Sequence, residues 1–166
     1  AALFTDHYFK RFKLTDRGTS KLKHPLNKIK TWIFDLDNTL YPASTELFTQ
    51  ISKNMTTFVM KELMLNYDEA YKIQKIYFKK YGTTMRGLME NHKIEPTYFL
   101  DYVHKIDLSP IKKNDKLLDR GLKNLPGRKI IFTNGSKKHA LNVMRHLGVS
   151  HHFDKVFDIL DSNYIP

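Results

Sequence analysis

Three short apolar runs along the chain predict β-strands. The first, Thr31–Leu36, is rich in β-branched and aromatic residues, and the runs Arg128–Phe132 and Lys155–Ile159 are also apolar. A polar leader precedes the first run, and a turn at 125–127 precedes the second. Such runs, set off by turn signals, are typical of buried strands.

Apolar residues at three- and four-residue steps predict helices between these strands. Asn66 with Glu69 three residues later predicts a capping box, and Gly82 is the expected end of the helix that it starts. The other predicted helices are Ser44–Leu65, Thr84–His92, Pro96–Lys105, Asp115–Lys123 and Ser136–Leu147.

Strands that alternate with helices predict an α/β fold with a parallel sheet. Residues 44–105 carry helical signals only and separate the first strand from the others, so we expect residues 44–108 to form an inserted α-helical cap over the carboxyl edge of the sheet. Residues 31–43 and 109–166 would then form the α/β core. Residues 1–30 would form a basic leader, solvated or partly disordered.

Composition and charge narrow the function classes. No cysteine is present, so chemistry must use oxygen and nitrogen groups, and a cytoplasmic location is expected. No apolar run approaches the roughly 20 residues that cross a bilayer, so no membrane partner is expected. The net charge is +11, and residues 1–30 hold eight basic against two acidic residues. Nucleic-acid binding by this leader is the alternative to a solvated one, and we expect no nucleic-acid partner.

Two carboxylates follow the first predicted strand. Asp35 and Asp37 lie two residues apart at the edge where parallel sheets bind ligands. Like charges this close require a bound cation or a proton on one carboxyl group, and both conditions suit phosphoryl transfer with Mg²⁺. A turn that is merely rich in Asp and Asn is the alternative.

A hydroxyl follows the second predicted strand. Thr133, Asn134 and Gly135 lead into a helix start at Ser136, and such a corner favours an anion such as phosphate. Ser136 capping its own helix is the alternative for this segment alone. Beside Asp35 on a neighbouring strand, phosphate binding is the favoured interpretation.

These two segments resemble conserved motifs of a known family. Asp35–Tyr41 resembles motif I, and Phe132–Gly135 motif II, of the haloacid dehalogenase superfamily of phosphohydrolases. Segments at 81–82, 86–88, 103–109 and 157–159 make residues 31–166 similar to the pyrimidine 5′-nucleotidase branch. The resemblance implies a Rossmann-like parallel sheet, incomplete here, with a cap of the C1 type.

The resemblance also implies roles for individual residues. Asp35 would be the nucleophile that forms an aspartyl-phosphate, and Asp37 the general acid and base. Asp35 and the backbone carbonyl of Asp37 would ligate Mg²⁺, while Thr133 and Asn134 would hold the phosphoryl oxygens. The implied protein is a Mg²⁺-dependent phosphomonoesterase whose substrate is a pyrimidine nucleoside 5′-monophosphate.

Three residues of the predicted cap are candidates for substrate contact. Arg86 would contact the nucleotide, or would simply be an exposed arginine. His104 and Asp107, where the cap returns to the core, would read the substrate or position the cap, or would form satisfied hinge hydrogen bonds. No H-E-x-x-H spacing occurs and His151 and His152 are expected to point apart, so no zinc site is expected.

Two elements of the resembling family are not found. They are the motif III lysine and the motif IV acidic pair, and Asp161–Pro166 resembles the stretch that leads to that lysine. We therefore expect this chain to be a truncated portion that is inactive by itself. A phosphatase of another small phosphate ester and a noncatalytic binding module are the alternative functions, and the sequence indicates no oligomeric state.

Overall fold

The computed structural model describes residues 25–166, which contain a three-stranded parallel sheet. The strands β1 (Thr31–Phe34), β2 (Arg128–Phe132) and β3 (Lys155–Phe157) lie in the order β1-β2-β3. Phe34 pairs with Ile131, and Phe132 pairs with Phe157, so the three carboxyl ends meet at one edge of the sheet. The predicted α/β fold with a parallel sheet is confirmed.

Six α-helices connect these strands in the described residues, five between β1 and β2 and one between β2 and β3. They are α1 (Leu47–Leu63), α2 (Tyr67–Tyr81), α3 (Thr84–His92), α4 (Pro96–Val103), α5 (Lys116–Lys123) and α6 (Lys137–Leu147). The predicted capping box is present, because Asn66 accepts the backbone N–H of Glu69 and Glu69 accepts that of Asn66. The side chains of Asp115 and Ser136 accept backbone N–H groups in the first turns of α5 and α6, which explains why these helices begin where they do.

Four predicted elements are clearly shorter than expected. The first strand ends at Phe34 rather than at Leu36. Residues 43–45 form a short 3-10 turn, and Glu46, with φ 56°, separates it from α1. The predicted Pro96–Lys105 helix ends at Val103. The third strand ends at Phe157, because the carboxylate of Asp158 accepts the backbone N–H groups of Leu160 and Asp161 and closes a turn.

The buried apolar side chains of the described residues form two clusters. The first joins the sheet to α5 and α6 and includes Trp32, Ile131 and Val143. The second lies among α1 to α4 and includes Phe58 and Leu88. The two clusters do not follow the predicted division between core and cap fully. Leu47, in the predicted cap, belongs to the first cluster, and Ile159, in the predicted core, belongs to the second. The division into leader, core and cap stays a prediction.

The predicted basic leader lies mostly outside the described residues. Of its last six residues, Leu26 and Ile29 pack against the first apolar cluster, and the carbonyl of Lys30 accepts the backbone N–H of Arg128. Among residues 25–166, no helix has both the length and the apolar character needed to cross a membrane.

Candidate active site

A cavity of about 420 Å³ lies between the carboxyl ends of β1 and β2 and the helices α1 to α4. Asp35, Asp37, Thr133, Asn134 and His104 all line it. Five of the seven residues singled out in the sequence are therefore brought together. The register of the parallel strands is the reason, because it puts the residues that follow β1 and β2 side by side.

Asp35 is half-buried directly after β1. Its Oδ2 accepts the hydroxyl of Thr39 at 2.8 Å, one turn further along the chain. Burial is the main reason why its pKa lies above the ordinary value, and the neighbouring charge of Asp37 acts in the same direction. A cation beside this carboxylate would relieve both effects.

Asp37 is held by two donors that reach the same oxygen. The Tyr41 hydroxyl donates to Oδ1 at 2.6 Å, and Nε2 of His139 lies 2.8 Å from Oδ1. Burial opposes ionisation, but the hydrogen bond and charge of His139, together with Tyr41, outweigh it and hold the pKa of Asp37 below its ordinary value. Burial, followed by the charge of the same carboxylate, raises the pKa of Tyr41, so Tyr41 stays a hydroxyl donor.

Two histidines from different parts of the chain stack beside Asp37. His104 directly follows α4 and His139 lies in the first turn of α6, and their ring centroids are 4.2 Å apart with nearly parallel planes. The Ser136 Oγ lies 3.2 Å from Nδ1 of His104 and also accepts the backbone N–H of His139. Burial, followed by the neighbouring His139, lowers the pKa of His104 to about 3, so this ring is neutral.

The corner after β2 has the geometry expected from its sequence. Thr133 is buried, and its Oγ1 accepts the backbone N–H of Gly135 at 3.0 Å, while the neighbouring Asn134 is exposed on the cavity wall. Ser136 also caps α6, as the alternative interpretation had it. Ser136 therefore caps α6 while Thr133 and Asn134, in the same segment, line the cavity.

Arg86 and Asp107 lie outside the cavity wall. Arg86 is half-buried and donates to Glu90 at 3.0 Å within α3. The Asp107 carboxylate accepts the N–H and hydroxyl of Ser109, and its backbone exchanges two hydrogen bonds with the side chain of Gln50 on α1. Asp107 thus ties the return segment to α1, which matches the hinge alternative.

The expectation that His151 and His152 point apart is wrong. Both rings face Asp119, with Nε2 of His152 at 2.7 Å and Nε2 of His151 at 3.3 Å from its Oδ1. The side chains converge because these histidines lie in a short 3-10 helix, Ser150–His152, that packs against α5. His152 is hydrogen-bonded to Asp119, and these three residues are the one group of three His, Asp or Glu side chains with ligand atoms close together in the part of the chain that the structure describes.

Sequence reasoning did not identify His139 or Tyr41 as part of the site. His139 is 102 positions from Asp37, and no local pattern connects them. Tyr41 had a local signal, since it follows Asp37 by four residues as Thr39 follows Asp35, and both pairs hydrogen-bond in the loop after β1.

The chain belongs to the haloacid dehalogenase-like hydrolases, since the family model with that description matches residues 29–165. The expected superfamily is thereby confirmed. A curated relative, Phosphate metabolism protein 8 of Saccharomyces cerevisiae, is 33% identical over 147 residues. This match covers 82% of the chain but only 45% of the relative, so the chain spans less than half of that protein's length.

Proposed function

We propose that this protein is a Mg²⁺-dependent phosphomonoesterase that hydrolyses nucleoside 5′-monophosphates, with a preference for pyrimidines, through a phosphoryl group carried on Asp35. The observation that carries the proposal is the presence of Asp35, Asp37 and Thr133 on the wall of one cavity at the strand ends. Family membership supports the hydrolase class. The substrate and the residue roles are our proposal.

The proposed reaction has two steps at the phosphorus atom. In the first, a carboxylate oxygen of Asp35 bonds to phosphorus, the bond to the nucleoside 5′ oxygen breaks, and that oxygen takes a proton from Asp37. In the second, water gives a proton to Asp37 and attacks phosphorus, and the bond to Asp35 breaks. Inorganic phosphate leaves, and both carboxyl groups return to their starting states.

The pKa of Asp37 is compatible with both of its proposed roles. Without substrate the carboxyl group is ionised, because His139 and Tyr41 lower its pKa against the effect of burial. A phosphate dianion bound beside it would favour the protonated form by like-charge repulsion. Once the ester oxygen has taken the proton, Asp37 is ready to accept one from water.

Mg²⁺ fits the donor set of this site. Oδ1 of Asn38, on the cavity wall, is buried and has no hydrogen-bond partner among the described residues, and the nearby Asp35 is a carboxylate whose charge burial disfavours. The Asp35 carboxylate and the backbone carbonyl of Asp37 would hold the ion, since Mg²⁺ prefers oxygen ligands. When bound, it would offset the negative charge of the phosphoryl group.

Thr133 and Asn134 are the proposed phosphate contacts. Because Oγ1 of Thr133 already accepts the N–H of Gly135, its hydroxyl hydrogen can point to an acceptor in the cavity. Asn134 adds an amide donor at the same wall. These two donors would bind the phosphoryl oxygens opposite the attacking carboxylate.

The helical side of the cavity suits an aromatic base. Phe48 of α1 and Phe78 of α2 line it and are 40% and 62% exposed, and Lys75 adds a positive charge. A nucleobase that stacks on an aromatic side chain gains about 1–3 kcal/mol. We propose on this basis that residues 44–108 act as a cap that selects the substrate. We also propose that the protein is a cytoplasmic enzyme and that its partner is a small molecule, the substrate.

A substrate panel on the full-length protein tests the proposal. Phosphate release is measured for UMP, CMP, AMP, GMP and a hexose phosphate, with Mg²⁺ and after chelation. The expected result is a higher kcat/KM for UMP and CMP, lost on chelation. Equal or better use of purine nucleotides or hexose phosphate would contradict the pyrimidine preference. Turnover that survives chelation would contradict the metal requirement, and no hydrolysis of any ester would favour a noncatalytic binding protein.

A further inference from the structure

The two side chains that bind Asp37 contact the same carboxylate oxygen. Tyr41 and His139 both bond to Oδ1, and no residue that the structure describes donates to Oδ2. A hydrogen bond from His139 to a carboxylate places the proton on Nε2, so His139 is a donor here. Two donors on one oxygen fix the plane of the carboxyl group and distinguish its two oxygens.

We propose that His139 is a positioning residue, which together with Tyr41 assigns proton exchange to Oδ2 of Asp37. The inference rests on the proposed function and extends it to a residue outside the two aspartates. With Oδ1 occupied by two donors, a proton on the carboxyl group resides on Oδ2. Oδ2 then gives its proton to the ester oxygen in the first step and receives one from water in the second.

His139 itself is held firmly enough to do this. Its side chain is 2% exposed, and its backbone N–H donates to Ser136 at the start of α6. One face of the ring stacks on His104, which is in turn hydrogen-bonded to Ser136. The imidazole is therefore fixed from the backbone and from one face, and its Nε2 keeps a single direction toward Asp37.

His104 links α4 to Asp37 through its stack on His139. His104 directly follows α4, whereas His139 belongs to α6, the helix that follows β2. Their stack means that a residue at the end of α4 supports one face of the ring that binds Asp37.

The test uses His139→Leu and His139→Gln in the full-length protein, with His146→Gln as the control. The Gln amide can replace Nε2 as a donor, whereas Leu cannot. His146 lies on the same helix but bonds to the carbonyl of Ile111 instead. Tyr41→Phe removes the other donor to Oδ1 and gives a second, independent variant.

The informative readout is kcat/KM for two kinds of ester. A nucleoside monophosphate has an alcohol leaving group that needs a proton, whereas an activated aryl phosphate releases a stable phenolate that does not. kcat/KM reports only the steps through phosphoryl transfer to Asp35, so loss of a well-placed acid affects the first ester selectively. Melting temperatures of all variants are measured alongside.

The expected result is a loss of about 10- to 100-fold in kcat/KM for the nucleotide in His139→Leu, with a change below about threefold for the aryl ester. His139→Gln should recover most of the loss. Tyr41→Phe should likewise lower kcat/KM for the nucleotide more than for the aryl ester. In an Asp37→Asn background, His139→Leu should have no further effect on this ratio. Equal losses for both esters, or a full effect in that background, would overturn the proposal.

The failure of the two proposals can be told apart. If the wild-type protein hydrolyses neither ester, or if Asp35→Asn stays active, the proposed function itself is wrong. If the wild type is active through Asp35 but His139→Leu keeps the wild-type ratio between the esters, only the role of His139 is wrong.

Discussion

Replacing Gly87 by alanine should separate α2 from α3 and destabilise the protein. A Cβ atom built at Gly87 would lie 2.7 Å from Cδ2 of Tyr77 and closer still to its Cβ and Cγ. The Cβ of Tyr77 moves only with the backbone of α2, and the ring is anchored, because its hydroxyl bonds to Nε2 of His92 at 2.6 Å. The two helices must therefore move apart.

The size of the effect follows from two opposing contributions. Overpacking of a core costs about 1–3 kcal/mol, and a clash with backbone-fixed atoms belongs at the upper end of that range. Replacing a helical glycine by alanine returns about 1 kcal/mol. The net loss should be about 2 kcal/mol, or a fall in Tm of about 4–8 °C.

Gly121→Ala is a matched control for this prediction. Gly121 also lies inside a helix, α5, but nothing stands within 4 Å of the position that its Cβ would take. This variant should gain stability, by up to about 1 kcal/mol. The free energy of unfolding of both variants is measured by urea titration. A Gly87→Ala protein as stable as Gly121→Ala would refute the packing reasoning.

Three further predictions concern the N-cap residue of α2 and the side chains of the cavity. Asn66→Ala should lose about 1 kcal/mol in urea unfolding, and Asn66→Asp should lose little, because Asp also accepts the backbone N–H of Glu69; equal losses would contradict the capping role. Asp37→Asn should lower kcat by about 10²–10⁴-fold while nucleotide binding by calorimetry is retained, and an unchanged rate would remove Asp37 from acid and base catalysis. Phe78→Ala should raise KM for UMP about 5- to 100-fold, with little change in inhibition by inorganic phosphate, if the ring stacks on the base; a rise in both constants would place Phe78 with the phosphate instead.

The elements that could be predicted from the sequence are those with local causes. The capping box at Asn66 and Glu69 fixes the start of α2 within four residues of chain, and the structure has that contact. The strand at Thr31 and the carboxylates after it are likewise contiguous in sequence. The edge of the parallel sheet then brings Asp35 and Thr133 together, since the strand pairing decides their separation.

The features that could not be predicted depend on contacts between distant segments. The burial of His139 follows from its face of α6, but its partner Asp37 is decided by how α6 packs over the end of β1. The convergence of His151 and His152 on Asp119 depends on a 3-10 turn that adjacent positions in the sequence do not indicate. Arg86 pairs with Glu90 on its own helix and does not line the cavity, because the packing of α2 on α3 decides which face of α3 meets the cavity.

The most direct test of the central claim is acid quenching of the full-length protein during turnover of a nucleotide that carries a labelled phosphate. Label should appear on the peptide that contains Asp35, as an acyl phosphate that hydroxylamine releases. Asp35→Asn should show neither label nor turnover, while the control Asp119→Asn, altered away from the cavity, should keep both. Label on any other residue, or ordinary turnover in Asp35→Asn, would contradict the proposed phosphoryl transfer through Asp35.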